Sequence, residues 1–211
     1  MKSEAEIHGD FLAIAATLSP VLTEAIEQNG PIQLAADQTE PFPDRLCKAV
    51  TGQQLSTYAA ASIWERLVAQ ANVDNPNGTL IDFFAAADTA TLRGCGLSKA
   101  KIKTVGAIAQ AAKTDQLNSQ QLGPLTSPER TAILTKIWGI GQWTADMMNL
   151  FYFGDVDVWP EGDLAVRKTL TMLTSPRRKT IRTAERFAPY RSYLALHMWR
   201  YVHRSRNDSK D

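Results

Sequence analysis

Apolar positions recur along nearly the whole chain at helical spacing. No run of four or more residues alternates apolar and polar with β-branched enrichment, so strands, if present, are minor. Residues 11–30 are apolar and Ala-rich, broken at Pro20 and closed by Asn29-Gly30. Residues 41–72 hold one or two helices. Gly52-Gln53-Gln54 in their interior is a poor place for a continuous helix, because glycine costs backbone entropy there. Residues 79–114 predict two short helices around the Gly94-Cys95-Gly96 turn, then a longer one. A further helix is expected from Ser127 as N-cap, with Pro128 at its first position. The pattern predicts a compact all-α protein of two helical lobes with a cleft between them. About 40–125 would form one lobe, 126–175 a hairpin and an acidic helix start, and the N-terminal helix with 176–211 would complete the other lobe.

With 211 residues, 44% hydrophobic and 21% charged, the chain can bury a sizeable core. It offers no window apolar enough for a membrane span and no basic-then-apolar leader, so neither membrane insertion nor secretion is expected. Cys47 and Cys95 sit in no metal-type spacing, and two thiols cannot hold an iron–sulfur cluster. Reduced, partly buried thiols are expected. Net charge is +1 but uneven. Residues 1–162 hold 11 Lys and Arg against 18 Asp and Glu, a balance of −7; residues 163–211 hold 12 against 4, a balance of +8. A basic C-terminal segment suits a phosphate-facing side or a solvated tail equally well.

Between two apolar runs lies Gly139-Ile140-Gly141. Two glycines one apart permit positive φ and leave backbone N–H groups clear of Cβ, just before a helix start, where an anion is welcome. The simpler alternative is a tight αα-corner. Asp163 then precedes another apolar run. It reads as an N-cap, or as a carboxylate working against a developing positive charge. Tyr190, Tyr193, Trp199 and Tyr201 follow on a helical pattern after Pro189, and Trp143 stands directly behind the hairpin. Most such aromatics pack in a core, but a flipped base needs a stacking slot of this type.

In this order the motifs resemble the helix-hairpin-helix superfamily of DNA glycosylases, and within it 3-methyladenine DNA glycosylase II. The segments concerned are Gly139-Ile140-Gly141-Gln142-Trp143-Thr144-Ala145, Pro160-Glu161-Gly162-Asp163, Pro189-Tyr190-Arg191-Ser192 with Trp199, and Thr51 to Ser56 (TGQQLS). The resemblance spans about residues 40–203. It implies that Asp163 is the catalytic carboxylate. The backbone around Gly139, Ile140, Gly141, Gln142 and Thr144 would hold a DNA phosphate. The carbonyls of Thr135, Ile137 and Ile140 would hold a monovalent cation, Na⁺ or K⁺. Trp143, Met147, Leu164 and Trp199 would line the base pocket, and in the Gln53-Gln54-Leu55 stretch Gln54 or Leu55 would wedge into the duplex. Relatives often carry aromatics where Met147 and Leu164 stand here, which implies a more open pocket.

Superfamily members that also nick DNA carry a lysine at the second position after the hairpin's final glycine, where its amine forms a Schiff base with the sugar. Trp143 occupies that position and cannot form the adduct. The resemblance therefore implies a monofunctional, intracellular and monomeric enzyme acting on alkylated bases in double-stranded DNA, in the cytoplasm or the nucleus according to the cell type, with no catalytic cofactor. The 3-methyl and 7-methyl purines are cationic and leave without a general acid; none of the three histidines, His8, His197 and His203, sits in an acid-like motif. The rival from another class is a non-catalytic DNA-binding protein, including a damage sensor with a degenerate pocket. It would need the hairpin but not Asp163, Trp199 or the paired glutamines.

Overall fold

The computed structural model describes residues 2–208. Among them there is helix but no strand. In chain order the helices are α1 (Glu4–Ala16), α2 (Pro20–Asn29), α3 (Phe42–Gly52), α4 (Thr57–Asp74), α5 (Leu80–Ala86), α6 (Thr89–Gly94) and α7 (Lys99–Lys113). They continue with α8 (Ser119–Leu122), α9 (Ser127–Leu134), α10 (Gln142–Met147), α11 (Leu164–Leu173), α12 (Thr180–Ala184) and α13 (Arg191–Asp208). A π-helical stretch, Met148–Tyr152, extends α10, and a 3₁₀ turn, Glu185–Phe187, extends α12. No helix among the described residues is long and apolar enough to cross a membrane.

Local chemistry accounts for most boundaries. Ser3, Ser19, Ser56, Asp88 and Ser98 each accept a backbone N–H at a helix start, and Pro20 opens α2. The stretch 41–72 is two helices, with the break at 53–56. Two boundaries differ from expectation. Thr126, not Ser127, caps α9, because Thr126 N–H and Oγ1 both donate to the Glu129 carboxylate, at 2.8 and 2.7 Å. Only Thr126 stands three residues before a glutamate, so only it can form the capping box; Ser127 is the first helical residue and Pro128 the second. Both short helices, α5 and α6, precede the Gly94-Cys95-Gly96 turn, because Asp88 caps a separate α6 with 2.7 Å geometry to Thr91 N–H.

The chain divides into two compact units, residues 37–148 and residues 1–36 with 149–211. In the first, α7 packs on α3 and α5 and buries Leu46, Cys47, Val50, Phe83, Val105 and Ile108. Cys47 and Cys95 are both buried, free thiols, and burial pushes the Cys47 thiol up. In the second, α1, α2, α11 and α13 surround Phe11, Leu22, Ile26, Leu170, Leu194 and Met198, with Phe11 and Phe187 edge to face at 4.8 Å.

That second core packs against His197, which is itself buried. Burial first, then the charges of His8 and Arg200, depress it from 6.5 to about 3. Asn29 reaches its ring Nδ1 at 3.3 Å and its carbonyl at 3.0 Å. The unfolded chain takes up this proton as pH falls through about 6.5 and the folded chain resists to about 3, so stability is lost across that window. The expected loss from this group is on the order of a few kcal/mol. Urea midpoints for wild type and His197→Gln at about pH 7 and pH 4.5 test it: the variant should show a markedly smaller acid drop. Parallel drops would assign acid sensitivity to another group.

Candidate active site

The segment between α9 and α10 is a tight hairpin. Within it Lys136 N–H donates to Ile133, Ile137 N–H to Leu134 and Ile140 N–H to the carbonyl of Ile137, at 3.0–3.2 Å. Ile137 and Ile140 are buried and anchor the turn. Its two glycines do different things. Gly139 has φ +83°, and a Cβ there would lie 2.1 Å from Thr104 Oγ1 on α7. Gly141 has φ −103°, faces open space where a Cβ would point, and N-caps α10 without a side-chain hydrogen bond. The first glycine is needed by the fold. The second leaves a helix start open to solvent, with the positive end of the helix dipole behind it.

Behind the turn, Thr144 is buried and accepts from Gln53 Nε2 at 2.9 Å. Gln142 Nε2 donates to Asp146 Oδ1 at 2.8 Å. Burial of Asp146 raises its carboxyl to about 6, against the lowering effect of that bond. Trp143 is half-buried and Met147 buried. Trp138 is 46% exposed at the turn, with Lys103 Nζ 4.0 Å from its ring centre.

The Gln53-Gln54-Leu55 loop belongs to the same unit. Lys101 Nζ reaches from α7 to the carbonyls of Thr51 and Gln53, at 2.8 and 2.9 Å, and so closes the C-terminal end of α3. Partial burial lowers its pKa. Gln53 is thus held on both backbone and side chain. Gln54 takes φ +59°, rare for a non-glycine, and is exposed; Leu55 is 41% exposed. A left-handed non-glycine residue next to the pinned Gln53 stores strain in this loop. Lys101, Lys103, Thr104 and Asp146 were not singled out by sequence pattern. Lys101, Lys103 and Thr104 act through contacts from α7 to the hairpin and loop, for which the sequence carries no periodic signal, whereas Asp146 pairs locally with Gln142 on α10.

In the other unit, Asp163 caps α11: its Oδ1 accepts Val166 N–H at 2.9 Å, and its own N–H donates to Pro160 at 2.8 Å. The loop leading to it is tied down. Arg191 holds both carboxylate oxygens of Asp157, at 2.7 and 2.9 Å, and that pairing raises the guanidinium's pKa. Ser192 Oγ donates to the Asp155 carbonyl at 2.6 Å and accepts Val158 N–H at 2.9 Å. Glu161 takes Trp159 Nε1–H at 2.6 Å and the Thr180 hydroxyl at 2.7 Å. The Arg191-Ser192 pair thus fixes the strand of chain that delivers Asp163. Beside Asp163, Leu164 is 52% exposed. Trp199 is half-buried, with Phe151 5.6 Å away.

One unit thus carries a glycine-bearing hairpin whose second helix starts open, and the other carries an aspartate at a helix start. The chain matches the HhH-GPD superfamily base excision DNA repair protein family over residues 47–189 and belongs to it. It is 30% identical over 170 residues to DNA-3-methyladenine glycosylase 1 of Schizosaccharomyces pombe, covering 78% of this chain and 73% of that protein. Two solved structures share the fold. The 3-methyladenine DNA glycosylase of S. pombe, in complex with abasic DNA, superposes with a TM-score of 0.76 at 25% identity, over 92% of this chain and 95% of that one. The DNA-3-methyladenine glycosidase of Bacillus halodurans gives 0.73 at 28% identity, over 90% and 88%. The chain is a base-excision DNA-repair protein with 3-methyladenine DNA glycosylases among its relatives.

Proposed function

We propose that this protein is a monofunctional DNA glycosylase that flips 3-methyl and 7-methyl purines out of duplex DNA and hydrolyses their N-glycosidic bond. The observation that carries this reading is Asp163, held at the start of α11 by its cap bond to Val166 and by the braced loop behind it. A carboxylate fixed before the reaction stabilises the oxocarbenium-like sugar without reorganising, and can orient or deprotonate the attacking water. The methylated purine is already cationic, so its departure needs no acid. Trp143 and Trp199 offer aromatic faces that attract such a cation by about 0.5–2 kcal/mol. The relatives' names support 3-methyladenine as one member of that class.

DNA would be held by the N–H groups around Gly139, Ile140, Gly141, Gln142 and Thr144. The carbonyls of Thr135, Ile137 and Ile140 would hold a monovalent cation. Ile137's carbonyl already accepts one hydrogen bond, and a peptide oxygen has a second lone pair; three neutral oxygens suit Na⁺ or K⁺ better than a transition metal. Such an ion would add positive charge beside the bound phosphate.

Gln54 or Leu55 would fill the gap left by the flipped base, since both project from a loop whose neighbour Gln53 is pinned. Replacing Gln54 and Leu55 together with Ala should weaken binding to lesion DNA more than to undamaged DNA, because only the former has a gap to fill. Equal losses on the two duplexes would place the wedge elsewhere.

Trp143 cannot form a Schiff base, so borohydride should trap no covalent protein–DNA adduct during turnover. Strand breaks should appear only after alkali. A trapped adduct would show that a lysine, such as Lys136, reaches the sugar.

A further inference from the structure

Between Arg167 and Arg186 the basic residues form a defined surface. An open concavity of about 460 Å³ is lined by Arg177, Arg178, Lys179, Arg182 and Arg186, with Leu18 and Thr183 and no acidic side chain. A second, of about 400 Å³, shares Arg178 and Lys179 and adds Arg167 and Lys168 on α11; Leu164, next to Asp163, lines it as well. All seven cations are exposed, and none pairs with a carboxylate among the described residues. Arg186 makes one neutral bond, to the Thr17 hydroxyl at 2.8 Å.

Like charges gathered without counter-ions repel one another, so folding alone does not select the arrangement. Guanidinium forks match phosphate oxygens in geometry as well as charge. The two concavities join through Arg178 and Lys179 and stay open, which suits an extended polyanion better than a small anion that needs enclosure. The strip also begins beside the residue that the proposed function places at the flipped nucleotide.

We propose that this strip is a second, sequence-independent DNA contact, gripping the phosphodiester backbone of the duplex in addition to the hairpin. The proposal rests on the DNA-glycosylase reading given above. Each phosphate neutralised releases condensed counter-ions, so log Kobs falls with log salt by about 0.9 per contact in duplex DNA. The strip should therefore be visible in the salt dependence of binding while leaving the chemical step alone.

The test compares wild type with the triple variant Arg178→Ala, Lys179→Ala, Arg182→Ala. Both are titrated against a fluorescent undamaged duplex across a salt series. Single-turnover release of 7-methylguanine is measured at saturating protein, and thermal melting checks the fold. The expected results are a salt slope shallower by up to about 2.7, roughly 0.9 for each of the three cations, at least a ~10-fold loss of affinity at low salt, and an unchanged rate of base release. A charge-reversed pair, Arg178→Glu with Lys179→Glu, provides the same readout on a second background and should bind more weakly still. Folded variants with wild-type slope and affinity would overturn the proposal and point instead to an acidic protein as the partner. Wild type that fails to bind duplex DNA would overturn it too. Wild type that binds DNA but releases no methylated base would sink the glycosylase reading, and the slope comparison would still decide the strip.

Discussion

Asp163→Asn should lower single-turnover excision of methylated purines by at least ~100-fold, the scale on which removal of one preorganised electrostatic group acts. The same variant should melt like wild type. Asparagine caps helices as well as aspartate does, and its side-chain oxygen can accept the Val166 N–H that Asp163 accepts at 2.9 Å. What it lacks is the charge. The substitution therefore separates two roles of one side chain. Asp163→Ala should add a loss of about 1 kcal/mol in stability from the missing cap. Binding to an abasic duplex should be nearly unaffected in the Asn variant. Wild-type excision by Asp163→Asn would leave Asp163 as a helix cap and nothing more.

Gly139→Ala should cost several kcal/mol of stability, and with it the duplex binding that we propose for the hairpin. The residue needs φ +83°, and the new methyl would lie 2.1 Å from Thr104 Oγ1 and 2.8 Å from its Cγ2. Strain at positive φ contributes about 1–3 kcal/mol and overpacking another 1–3. Adding Thr104→Ala should restore part of the loss, namely the steric part, giving a coupling measurable by denaturant unfolding in a double-mutant cycle. Gly141→Ala is the contrast. With φ −103° and open space around its Cβ direction, it should fold normally. If the open start of α10 meets a phosphate, the same methyl should weaken duplex binding. An equal stability loss at both glycines would mean that the hairpin is a structural corner throughout.

These two positions also show what was legible in advance. The pair of glycines and the helix after them could be read from local pattern, because positive φ and helix starts leave marks within a few residues. That Gly139 serves packing and Gly141 openness could not, because the difference lies in Thr104, a residue of another helix. Asp163 supported two readings, and the cap is real; its sequence neighbours could not show how Arg191 and Ser192 brace the approach to it. The reach of Lys101 to Thr51 and Gln53 is likewise non-local. The break between α3 and α4 follows from Gly52-Gln53-Gln54, whereas local pattern does not separate Thr126 from Ser127 as the α9 cap, because both are good caps and only the Glu129 spacing distinguishes them. The charge imbalance was plain from the sequence. Its concentration around Arg178 and Lys179 is a property of the folded chain.

The most direct test of the central claim is the release of free base by the purified wild-type chain from duplexes carrying 3-methyladenine, 7-methylguanine or hypoxanthine, followed chromatographically and corrected for spontaneous depurination. The account predicts release of the two cationic purines with the strand left intact until alkali is added, and slower release of hypoxanthine, which needs a leaving-group proton that no identified residue supplies. No release above the spontaneous rate from either cationic lesion would contradict it, and would leave a protein that binds DNA without acting on it.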